Sequence, residues 1–203
     1  MLLTTLFLLP LLAGASPFSR RACAIEYPSY IGWVDSENPD MVFFPLPNNA
    51  VTRVSKEPRT SPPGSRWVDT FIEFKVPQGS WGCQLELYFE KGFGMVWRDH
   101  PYGPVKADVW NVDGNVPLGP YNISLTWNSA PKPVNLFGTT GDIPLPAYPG
   151  GYSQDVKKVI NSAGCKDKMT YRVKVPAEVV EGGVRVQQDN GHPFGGWRML
   201  HNC

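Results

Sequence analysis

The 203-residue chain carries 19 basic and 18 acidic side chains, for a net charge of +1, and only 18% of its residues are charged. That balance excludes the basic stripe nucleic acid demands and the Lys/Arg cluster of a membrane-surface anchor. Low charge with 12% aromatic residues excludes a disordered chain, and 21 Pro with 20 Gly leave little room for long helices.

The chain opens on an apolar run, residues 2–12, broken only by Thr4, Thr5 and Pro10 and followed by Ala13-Gly14-Ala15. A short apolar run before a small-x-small site predicts a secretory signal over residues 1–15. The run is too short to span a bilayer, and its n-region has only the α-amino group as a positive charge. Residues 16–21 end on the dibasic pair Arg20-Arg21, read either as the end of a propeptide or as two surface arginines. Cleavage there removes two of the 19 basic residues and leaves 17 against 18 acidic ones. No later stretch is apolar enough to span a membrane, and no lipid anchor is expected. Residues 22–203 are expected to form a single domain.

Cys23, Cys83, Cys165 and Cys203 make an even set with no metal-ligand spacing. After a secretory signal this predicts two disulfides, with all three connectivities open.

From residue 68 the apolar residues alternate. Val68, Ile72, Phe74 and Val76 oppose Asp69, Glu73 and Lys75, and Pro77-Gln78-Gly79 breaks the run. Cys83, Leu85, Leu87 and Phe89 then oppose Gln84, Glu86, Tyr88 and Glu90. Period two with one dry and one wet face is a strand signature. The two runs are expected to pair as a hairpin or lie side by side in one sheet.

Val105, Ala107 and Val109 repeat the pattern against Lys106 and Asp108. Tyr121, Ile123, Leu125 and Trp127 repeat it against Asn122, Ser124, Thr126 and Asn128. Asn122-Ile123-Ser124 is the only glycosylation sequon and puts Asn122 on the polar face. A short helix is predicted over 153–164: Ser153 caps it, Val156, Val159 and Ile160 share a face, and Gly164 ends it. Tyr171, Val173 and Val175 alternate with Arg172 and Lys174, Gly182-Gly183 marks a turn, Val184 and Val186 alternate with Arg185 and Gln187, and 195–202 forms the last strand. The expected fold is all-β: a β-sandwich of two mainly antiparallel sheets with one short helix.

Chemistry is sparse. No Gly-x-Ser-x-Gly is present, and His100, His192 and His201 are scattered. Asp99-His100 is a candidate acid–base dyad or, beside Pro101-Tyr102-Gly103-Pro104, a solvated loop. Glu73 and Glu86 are a candidate glycosidase pair or ordinary polar-face residues of neighbouring strands. Seven tryptophans suggest a third use. Trp67 and Phe71 share a wet face and Trp110 follows a dry residue, so the three are candidate ligand-binding rings, a flat platform for sugar stacking. In the opposing reading Trp33, Trp97, Trp127 and Trp197 fill the core and the others pack under loops. The expectation is a secreted, extracellular, non-catalytic domain without cofactor or metal. Its partner would be a cell-wall glycan or an extracellular protein, not nucleic acid or a membrane. The alternative is a secreted hydrolase acting on wall polysaccharide.

Several segments, in order, resemble the fungal secreted proteins that carry the But-two C-terminal domain. Tyr27-Pro28, Ile31-Gly32-Trp33-Val34-Asp35 and Pro39 resemble the family's opening. Phe74-Lys75-Val76-Pro77 and Cys83-Gln84-Leu85-Glu86-Leu87 resemble its central strands. Cys165, Val184-Arg185-Val186-Gln187-Gln188-Asp189 and the stretch from Gly195 to Cys203 resemble its close. The resemblance spans residues 27–203, except 92–115 and 131–151. It implies a β-rich extracellular domain. The family's name implies binding to a ubiquitin-pathway enzyme, a partner of the reducing cytoplasm that does not carry over to a disulfide-bonded secreted chain.

Overall fold

The computed structural model describes residues 23–43, 50–60, 63–99, 101, 103–117 and 125–203. The expected signal and propeptide, His100 and the sequon asparagine Asn122 lie outside them. The described residues form twelve strands: β1 (Ala24–Glu26), β2 (Tyr30–Asp35), β3 (Val51–Thr60), β4 (Pro63–Lys75), β5 (Cys83–Phe89), β6 (Val96–Arg98), β7 (Asp108–Val112), β8 (Pro133–Thr139), β9 (Val156–Ala163), β10 (Lys168–Lys174), β11 (Gly182–Gln187) and β12 (Gly195–His201).

Two antiparallel sheets pack face to face. The smaller runs β1-β12-β5-β9, and the larger runs β6-β11-β3-β4-β10-β7-β8 with β2 also paired to β4. Ile72, Phe74, Tyr171, Val173, Val184 and Val186 of the larger sheet meet Leu85, Leu87, Phe89, Trp197 and Met199 of the smaller one in a single core. Each such side chain contributes about 1.5–3 kcal/mol by leaving water. Cys83–Cys165 ties the start of β5 to the residues after β9, and Cys23–Cys203 joins the outer ends of β1 and β12. Two disulfides of this kind suit an oxidising compartment, and each stabilises by about 2–4 kcal/mol.

The structure corrects four sequence expectations. β4 and β5 are not sheet neighbours; they lie in opposite layers. Each has an apolar face, and two apolar faces can cover each other only across the core. The predicted helix is strand β9. Asn161 pairs with Leu85 and Val159 with Glu86, so Ile160 is the extra residue of a β-bulge and turns inward while Val159 stays exposed. That one-residue slip imitates a helical i, i+3, i+4 pattern. Gly182-Gly183 begins β11 and is not a turn, because a side chain on Gly183 would lie 2.4 Å from the Val54 carbonyl oxygen. Leu125 to Asn128 is not a strand. The Thr126 amide donates to Ser129 Oγ (2.9 Å) and the Ser129 amide to Thr126 Oγ1 (3.1 Å), closing a local turn that competes with extended pairing.

The outer face of β4 and β10 is also covered, over part of its area. Phe71, Val34, Val116, Leu125 and Ala130 form a second apolar cluster, with Trp127 and Tyr30 packed against it. Val112, Val116, Leu125, Trp127 and Ala130 therefore lie over a face that alternation alone assigns to solvent.

Candidate binding surfaces

The three candidate rings part company. Phe71 is fully buried in the outer cluster and offers no surface to a ligand. Trp67 and Trp110 are half-buried and come together around Lys174, whose Nζ lies 4.9 Å and 6.0 Å from the two ring centroids. Lys56 Nζ lies 4.5 Å from the Trp67 ring and donates to the Ala177 carbonyl. The strand register explains this. Lys56 of β3 stands opposite Trp67 of β4, and Arg172 of β10 stands opposite both Phe71 and Trp110. Ammonium groups are drawn to indole faces by the ring quadrupole. This surface is thus a ladder of rings and cations, not a bare platform.

A different pair of rings is open. Trp97, expected in the core, is 46% exposed on the edge strand β6, where Val96 takes the inward place. Tyr148 is 99% exposed and Leu145 41%. They line a groove of about 540 Å³ between β6 and residues 145–151. Backbone bonds from the Gly92 amide to the Tyr152 carbonyl (2.8 Å) and from the Tyr152 amide to the Phe93 carbonyl (2.9 Å) clamp its two walls. The approach requires glycine: a Cβ on Gly151, whose φ is +72°, would stand 2.2 Å from the Gly92 oxygen. Residues 144–151 run Pro-Leu-Pro-Ala-Tyr-Pro-Gly-Gly. Tyr148 was not singled out from the sequence; the signal that could have found it is a tyrosine set among prolines and glycines, which disfavour a continuous sheet ladder.

The carboxylates do not converge. Glu73 and Glu86 sit on the outer faces of opposite sheets. Glu73 accepts hydrogen bonds from Thr170 Oγ1 (2.9 Å) and the Val116 amide (3.2 Å). Glu86 is bound by Lys157 Nζ (2.8 Å), Arg198 Nη2 (2.8 Å) and Gln84 Nε2 (2.6 Å). Asp99 has no exposed side-chain surface. Arg53 Nε pairs with it at 3.1 Å, and Arg185 holds its other oxygen, anchoring the end of β6 to β3 and β11. Of the other histidines, His192 is open and Nδ1 lies 2.7 Å from Glu90. The hydrogen bond with Glu90 raises the pKa of His192 and lowers that of Glu90. His201 is buried, 3.4 Å from Glu26.

No family model matches the chain, and no curated protein is similar enough to match it.

Proposed function

We propose that this chain is a secreted, non-catalytic binding domain whose ligand is a cell-wall polysaccharide. The observation that carries the reading is the open pair Trp97 and Tyr148 in a groove held rigid by glycine, proline and backbone bonds. Rings that are already ordered stack on the CH faces of sugars at small entropic cost, and each contributes on the order of 1–2 kcal/mol by area burial. Trp67 and Trp110 are a second aromatic station, with Lys56 and Lys174 as polar partners. The signal pattern, the two disulfides and the resemblance to the But-two C-terminal domain support an extracellular setting.

The test is retention on insoluble fungal and plant wall polysaccharides through a series of salt washes. Trp97→Ala and Tyr148→Ala are each expected to weaken retention about tenfold, the equivalent of about 1.4 kcal/mol, with thermal unfolding unchanged. Retention of both variants at the wild-type level overturns the groove as the site.

A further inference from the structure

The smaller sheet does not cover the whole of the larger one. Its edge strand β9 ends at Ala163, and beyond it a cleft of about 630 Å³ opens onto the inner face of β7, β8 and β10. On that face Asn111 of β7 stands opposite Tyr171 of β10 on one side and Asn135 of β8 on the other. Directly paired residues share a face, so Asn135, Asn111 and Tyr171 make a polar row across three strands. One step along β7 and β10 the same face carries Val109 and Val173, both fully buried in the core. Amides thus replace core residues where the second sheet stops.

The polar groups of this row are largely unspent. Asn111 has no side-chain hydrogen bond among the described residues, and Asn135 makes only a long contact of 3.4 Å to the adjacent Leu136 carbonyl. Tyr171 is 2% exposed, and its hydroxyl is buried without a partner. A buried hydroxyl without a hydrogen bond costs stability and asks for a ligand atom or a water. Lys166 and Lys168 stand at the rim. Lys166 is exposed and without an ion-pair partner among the described residues, while Lys168 is 3.7 Å from Glu73. Asp113, an acid that lines the cleft, accepts the Lys132 amide at 2.7 Å. The wall at Ala163 and Gly164 adjoins the Cys83–Cys165 disulfide.

Carboxamides present a donor and an acceptor together, the pairing that neighbouring sugar hydroxyls require. A lysine beside them adds a site for an anion. We propose that this cleft binds a saccharide unit bearing a carboxylate, a uronic acid residue. Its hydroxyls lie against Asn111, Asn135 and the Tyr171 hydroxyl, and its carboxylate lies toward Lys166. The site is separate from the Trp97 groove and does not depend on it.

The experiment is calorimetry of the intact disulfide-bonded protein with a galacturonic acid oligomer and a galactose oligomer of equal length. The uronate oligomer is expected to bind at least tenfold more tightly. Asn111→Ala and Tyr171→Phe should each weaken it about tenfold, with Tyr171→Phe no less stable than wild type. Lys166→Ala, at an exposed site that folding does not need, should reduce the uronate affinity to that of the neutral oligomer. Lys166→Ala should also leave the affinity for the neutral oligomer unchanged, which separates loss of this site from loss of the Trp97 groove. Absence of uronate binding, equal affinity for the two oligomers, or full affinity in Lys166→Ala overturns the proposal.

Discussion

Asp69 on the larger sheet and Glu86 on the smaller one both point to the outer face of the sandwich, and neither has exposed side-chain surface. Their pKa values move in opposite directions. Burial dominates at Asp69 and raises its pKa, against the opposing pull of Arg172 and Lys174. Burial also works against ionised Glu86, but hydrogen bonds from Lys157, Arg198 and Gln84 together outweigh it and hold the pKa low. The difference lies in what does the covering. Asp69 lies under the body of the protein: Trp127 is packed 4.8 Å from its partner Arg172, and one carboxylate oxygen has no partner. Glu86 is covered by the side chains that pair with it. Arg198 also stacks on Tyr88 at 3.6 Å, and Lys157 is half-exposed. A charge buried by its own counter-ions keeps its compensation, whereas one buried by apolar layers loses solvation faster than one arginine restores it.

The largest effect that tests this contrast is expected on the covered face. Arg172→Met leaves Asp69 buried without its ion-pair partner and should cost on the order of 3–5 kcal/mol in urea unfolding with disulfides intact. The double variant Asp69→Leu/Arg172→Met should be more stable than that single variant. A double variant no better than Arg172→Met would mean that packing of the arginine, not its charge partner, is what matters.

A smaller effect is expected where the covering layer is fastened. Glu73→Ala removes the acceptor of the Val116 amide and of Thr170 Oγ1 and should cost about 1–3 kcal/mol. Amide exchange at 113–117 should accelerate while that of β12 keeps its rate. Uniform acceleration would show that the overlay does not open on its own.

The smallest effect belongs to the open face. Glu86→Gln should cost about 1 kcal/mol or less at neutral pH, and less still in high salt, because its partners reach solvent. The sign with pH follows from the lowered folded pKa. Glu86 contributes stability above the unfolded value of about 4.3, and that contribution is lost as pH falls through the folded value. Asp69 has the opposite sign: its folded pKa is raised, so ionisation from about pH 3.9 upward reduces stability. The acid limb of a stability–pH curve should therefore be shallower in Glu86→Gln than in the wild type. Coincident limbs would place the acid sensitivity elsewhere.

Much of this was legible. Alternation assigned Leu85, Leu87, Phe89, Tyr171, Val173, Val184 and Val186 to the core, and all are there. The even cysteine count anticipated two bridges. Three things were not legible. The bulge at Ile160 shifts a strand's inward positions by one residue, and that shift reads as a helical period. The wet face of β4 reads as solvent-exposed although Phe71 and Asp69 are buried there, because a covering loop leaves no mark on the strand it covers. The polar row Asn135–Asn111–Tyr171 draws its residues from three strands and exists only once their register is set.

By itself the sequence determined which side chains share a face in the regular, unbulged strands, that the fold class is all-β, and that its cysteines suit an oxidising compartment. Those properties follow from local geometry: side chains along a strand alternate at period two whatever the strand pairs with. Tertiary structure alone decided that β4 and β5 face each other across the core, that Glu73 and Glu86 point away from each other, and which cysteines join. It also decided that Trp97 and Tyr148 stay open while Phe71 does not. Layer assignment and coverage depend on apolar area matched between segments far apart in the chain, and no local period encodes that match.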